Sequence, residues 1–147
     1  MRHLLAAALF LTVSFSGTSA HALFGKKAPP KPDYKAIKAL KSPGERFEAL
    51  LKEPYQSELL AFAKRSHTEE NLLFILDVKG GKDKKAIYNR YIDLKGSMPI
   101  NIKASIKAPL DALAAAKKWE RLDFAEAVHA CSEISIGQIS NPFLDTK

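Results

Sequence analysis

A chain of 147 residues with a 46% hydrophobic share holds one ordinary domain and excludes two. Its 23 basic side chains outweigh 16 acidic ones, which permits an anionic partner without requiring one. A single cysteine excludes an internal disulfide and a cysteine-rich zinc site, so the fold must rest on its hydrophobic core.

Residues 1–22 have the pattern of a secretory signal peptide. Met1-Arg2-His3 is a short basic start, Leu4 to Phe15 is mostly apolar, and Ala20-His21-Ala22 fits a small-x-small cleavage site. An uncleaved membrane anchor is the alternative, but the apolar run falls short of the roughly 20 residues that cross a bilayer. No cysteine follows it, which argues against a lipid anchor. The expected product is exported, periplasmic or secreted, with no transmembrane helix in the mature chain. Residues 23–32 then read as a tether, extended or disordered, rich in proline and lysine.

Residues 33–147 carry the periodicities of an all-α domain. A short helix is expected over Asp33–Leu40, with Ile37 and Leu40 inward. Ser42-Pro43-Gly44-Glu45 is a capping box with proline at the first helical position, opening a helix that buries Phe47, Leu50 and Leu51. Pro54 opens the next, with Tyr55, Leu59, Leu60 and Phe62 inward. Ser66 or Thr68 should cap the central helix, with Glu69 and Glu70 set against its dipole. The run Leu72-Leu73-Phe74-Ile75-Leu76-Asp77-Val78 is apolar nearly all round, as in a helix enclosed by other helices.

Gly80-Gly81 stops that helix, and Asp83 caps one carrying Ile87, Tyr88, Tyr91, Ile92 and Leu94 inward, ended by Gly96. Ser97 to Ile102 reads as an extended connection pinned by Pro99. Lys103 to Lys118 is helical in composition, with Pro109 expected to break or restart it. Trp119 plugs the end of the bundle, the alternative being a ligand contact. Asp123 and Glu126 cap a last helix through Val128, Cys131 and Ile134, which Asn141-Pro142 stops. Cys131 shares a face with Phe124 and Val128, so its thiol is expected to be buried and inert rather than reactive.

The residues give little support to catalysis. His3, His21, His67 and His129 show no metal-binding spacing, and no Gly-x-Ser-x-Gly elbow occurs. Gly80-Gly81-Lys82 lacks the serine or threonine of a phosphate loop, since Asp83 comes next. No cofactor and no metal are expected. Lys82, Lys84 and Lys85 around the glycine turn could attach the protein to an anionic envelope polymer, although a solvated face is the simpler reading. Without interleaved aromatics or arginines, these lysines do not suit nucleic acid.

In order and spacing, four stretches resemble the regulator of G-protein signalling (RGS) domain over roughly Ser42 to Leu144. The first runs from Phe47-Glu48-Ala49-Leu50-Leu51 through Leu60-Ala61-Phe62-Ala63-Lys64 to Thr68-Glu69-Glu70-Asn71-Leu72-Leu73-Phe74. The others are Ile87-Tyr88-Asn89-Arg90-Tyr91-Ile92, Ile100-Asn101-Ile102 and Phe124-Ala125-Glu126-Ala127. The resemblance implies a single helical bundle around one central helix, binding the switch regions of a Gα subunit through loops at one end. It carries Glu70, Asn71 and Asn101 into the contact surface, where an asparagine can both donate to and accept from a partner. For both amides the alternative is structural: Asn71 tying loops together, Asn101 satisfying buried backbone. The family's late acidic-Ser pair and downstream arginine have no counterpart in Ser132–Gln138, and a periplasm holds no heterotrimeric G protein.

The first expectation is therefore a non-enzymatic protein-binding module with an unknown partner. Its docking corner would join Arg65–Asn71, including His67, Thr68, Glu70 and Asn71, to Pro99–Asn101. A host-directed activator of a Gα-type GTPase and an electrostatic binder of an anionic polymer are the alternatives.

Overall fold

The structure is a computed structural model and describes residues 31–147; the expected signal peptide and nearly all of the tether lie outside that range. The described chain is all α-helical, with no strand. Helix α1 spans Tyr34–Lys38, α2 Pro43–Leu50, α3 Tyr55–Arg65 and α4 Glu69–Lys79. A short α5, Lys84–Ile87, runs on into a π-helical turn at Tyr88–Ile92. Then come α6 (Ala104–Ala115), a 3-10 turn (Trp119–Arg121), α7 (Ala125–Ser135), a second π turn (Ile136–Ser140) and α8 (Asn141–Asp145).

The apolar run forms α4, which packs most extensively on α7 and also against α3 and α5. Leu72, Phe74 and Ile75 are fully buried, while Leu73, Leu76 and Val78 are only partly covered, so one edge of the helix reaches the domain surface. The Phe74 ring meets Tyr91 at 5.6 Å and Phe124 at 5.9 Å, both edge-on. One side chain thus joins the π turn and the start of α7 to the central helix, and such pairs add to simple area burial.

Local signals account for several boundaries. The Ser42–Glu45 capping box is complete, with Glu45 N–H donating to Ser42 Oγ at 3.1 Å and Ser42 N–H to Glu45 Oε2 at 3.0 Å. Asp83 Oδ1 accepts from Ala86 N–H at 2.8 Å and so starts α5. At the end of α4, Gly81 adopts a left-handed φ of 69°. Gly81 N–H donates to the Val78 carbonyl and Lys82 N–H to the Asp77 carbonyl, a Schellman closure.

Other expectations need correction. Thr68 precedes α4 but does not cap it: its hydroxyl turns back to the Ala63 carbonyl at 3.5 Å, leaving the acidic pair to favour the helix start. Ser66 likewise donates backwards, to Phe62. Leu40 is exposed because the chain has left α1 at Ala39. Leu94 is 77% exposed, since the π turn ends at Ile92 and Asp93 is already extended, which breaks the helical register assumed for it.

Pro109 lies inside α6 without ending it. It forgoes one backbone bond, but burial of Leu110 and Ala114 beyond it holds the next turns in place. Asn141-Pro142 does not stop the last helix either. The chain passes through the second π turn into α8, with Pro142 in its first turn, where a missing N–H costs least. Asp123 and Glu126 do not form the expected cap pair. Phe124 is the residue at the start of α7 and no side chain caps it, while Asp123 Oδ1 only accepts from Ala125 N–H at 2.9 Å in the turn before it.

Truncating Phe74 to alanine would open a cavity between three elements at once. A loss of about 3–5 kcal/mol in urea unfolding is expected; a loss below about 1 kcal/mol would show that the three-way contact carries little.

Candidate functional site

The proposed corner is built by two reversals of the chain. Between α3 and α4, His67 takes a positive φ of 51°, a conformation in which a side chain other than glycine is uncommon. Thr68 N–H closes the turn on the Ala63 carbonyl at 3.1 Å. The second reversal comes after the first π turn. A Cβ on Gly96 would lie 2.5 Å from the Arg90 carbonyl oxygen, so only glycine lets the chain fold back so closely. Met98 N–H then donates to the Arg90 carbonyl and Ile100 N–H to the Tyr91 carbonyl, holding Ser97–Ile100 alongside the π turn.

These reversals place His67, Glu69 and Glu70 across a recess of about 280 Å³ from Ser97, Met98 and Pro99. The start of α4 and the extended connection therefore do form one surface feature. The two expected amides are separated from it in opposite senses. Asn71 is only 6% exposed, and its buried Oδ1 has no hydrogen-bond partner among the described residues. Asn101 is exposed and opens instead onto a larger groove with Ile102, Lys103, Ile106 and α7. No hydrogen bond links the two. Of the expected residues, His67 and Glu70 line the recess, Thr68 is partly buried in the turn beside it, Asn71 is enclosed by the fold, and Asn101 faces the neighbouring groove.

Asp77 is a polar centre that the sequence patterns do not single out. It is 8% exposed on α4, yet accepts from the Tyr91 hydroxyl at 2.8 Å and pairs with Lys82 Nζ at 2.6 Å. The Arg90 guanidinium lies 3.6 Å away. A buried carboxylate is tolerable only when paired and hydrogen-bonded in this way. A signal for it exists: Asp77 is the one ionisable residue in the run Leu72–Val78.

The lysine candidates are largely engaged. Lys82 holds Asp77, and Lys84 Nζ donates to the Glu120 and Leu122 carbonyls at 3.0 and 2.6 Å. Lys85 lies 5.6 Å from the Trp119 ring, which is itself packed on Tyr88. Trp119, the first residue of the 3-10 turn, is thus partly buried against α5 and the first π turn.

Among the described residues, no three His, Cys, Asp or Glu side chains converge as a metal site. No described helix is long and apolar enough to cross a membrane. The Cys131 thiol is pushed up to about 12, first by burial and then by the Glu70 charge, which keeps it protonated and unreactive at neutral pH. No family model matches the chain, and neither curated proteins nor solved structures yield a significant match.

Burial also raises the Tyr91 phenol, reinforced by its bond to Asp77, and lifts Tyr88 to about 12, with Asp111 adding to that. All three acids hold their protons more tightly folded than unfolded. The stability they confer is complete below the unfolded values, roughly 8.5 for a thiol and 10 for a phenol, and fades as pH rises past them. Unfolding free energy should therefore fall steadily above about pH 9. A plateau from pH 8 to 11 in urea titrations would contradict it.

Proposed function

We propose that residues 33–147 are an exported, RGS-like, non-enzymatic protein-binding module, docking its partner at the corner formed by the start of α4 and the Ser97–Pro99 stretch. The observation that carries this reading is the recess shared by Glu70 and Pro99, which lie far apart in sequence, each beside its own hydrogen-bonded reversal. The kinship rests on the four RGS-like stretches, and the export on the signal-peptide pattern of residues 1–22. A Gα-type GTPase is the partner class that the resemblance names. Attachment to an anionic polymer is less favoured, because Lys82, Lys84 and Lys85 are each committed to a contact within the fold.

The test compares variants in two assays. In capture from the envelope fraction of the source cells, the pair Glu70→Lys and Pro99→Asp should reduce retention of a partner at least tenfold. Neutralising Lys82, Lys84 and Lys85 should leave it within about twofold; the reverse pattern would transfer the function to the lysines. In single-turnover GTP hydrolysis with a panel of Gα subunits, the module should leave the rate unchanged. Acceleration that disappears in Asn71→Leu would replace the binding-module reading with GTPase activation. That variant serves well because it removes an unpartnered buried oxygen, so stability should be unchanged or raised by about 1 kcal/mol.

A further inference from the structure

A broad concavity lies away from the corner, between the Asn101–Ile106 stretch and the outer face of α7. Its volume is about 750 Å³. Ile102, Ile106, Ala130 and Ile134 give it an apolar floor, and a smaller cavity sharing Ile106, Ala125 and Glu126 extends it towards Pro109 and Asp123. The α7 residues that line it fall at 125 and 126, 129 and 130, 133 and 134, one stripe along the helix.

The rim has the opposite charge to the protein as a whole. Asp123, Glu126 and Glu133 border the groove against one lysine, Lys103. Among the described residues, Asp123 and Glu126 take part in no ion pair, and Glu133 has only His129, at 3.7 Å. Such a groove suits a short apolar segment with cations close behind it. The chain carries one a few residues before α1: Leu23-Phe24-Gly25-Lys26-Lys27.

The distance is within reach. Tyr34 of α1 stacks on Phe143 of α8 at 5.6 Å, and α8 continues, through the second π turn, the helix that bears Ile134 at the groove's end. Nine helical residues from Ile134 to Phe143 cover about 14 Å. Ten residues from Phe24 to Tyr34 span up to about 33 Å. We propose that Leu23 and Phe24 seat in the α6–α7 groove of their own chain, with Lys26 and Lys27 set against Glu126 and Glu133. The segment expected to be a mere tether is then laid along α7. Neither the RGS kinship nor the partner at the corner is needed for this.

The core of the described residues runs from Tyr34 to Leu144, and a chain beginning at Leu23 retains all of it. In that chain, a nitroxide at Ala28→Cys can be placed selectively, because the Cys131 thiol is buried. With isoleucine methyls labelled, the signals of Ile102, Ile106 and Ile134 should be lost to broadening, while Ile87 and Ile92 stay sharp. Adding Phe24→Ser should restore them, and raising the salt should restore them in part. Broadening that is absent, centred elsewhere, or unchanged by Phe24→Ser would overturn the proposal. A mixture of spin-labelled chains with separate isotope-labelled chains should show no loss; loss there would place the segment on a second copy instead.

Discussion

Phe74 stands at the point on which the domain depends. Its ring is enclosed by Tyr91 and Phe124, so α4, the first π turn and α7 are fixed relative to one another by one aromatic cluster. With Leu72 and Ile75 fully buried beside it, the central helix is held by tertiary packing and not by its own propensity, as is usual for an eleven-residue helix. Everything at the candidate corner inherits its position from this contact. Glu70 sits one turn before Phe74 on the same helix, and the Ser97–Ile100 connection is hydrogen-bonded to the π turn that carries Tyr91.

The two ends of α4 treat polar groups differently. At its C-terminal end Asp77 is buried but satisfied, by Tyr91, Lys82 and Arg90, and the Schellman closure brings Lys82 back to it. At its N-terminal end Asn71 is buried with an unpartnered oxygen, Thr68 offers no cap, and His67 occupies a left-handed turn. The first arrangement stabilises; the second costs free energy, of the order of 1–3 kcal/mol for an unmade hydrogen bond. Local cost concentrated at one end of an otherwise well-satisfied helix is what a binding corner commonly shows. This is the physical reason why the docking we propose is set there and not at the lysine-rich turn.

Much of the fold is legible in the sequence because its signals are local. Ser42 with Glu45, Asp83, Gly81 and the apolar run of α4 each act within a few residues, and each does what its chemistry implies. The misreadings share a different cause. The expectation for Leu94 places it on a helix that the π turn ends at Ile92. That for Asn141-Pro142 stops a helix that a second π turn instead carries into α8, with Pro142 where a missing N–H costs least. Pro109 carries its own local cost, but burial of Leu110 and Ala114 outweighs it. The corner is half legible: the pattern brings Glu70 and Pro99 together, but whether an asparagine faces in or out depends on the roll of a helix against α7, which no local signal encodes.

Hydrogen exchange under native conditions tests the dependence on α4 most directly. If the cluster around Phe74 holds the domain, the amides of Leu72 to Leu76 should be the last to exchange, with an opening free energy equal to that of global unfolding. Exchange of those amides through local openings, as fast as that of the short α1, would contradict the account.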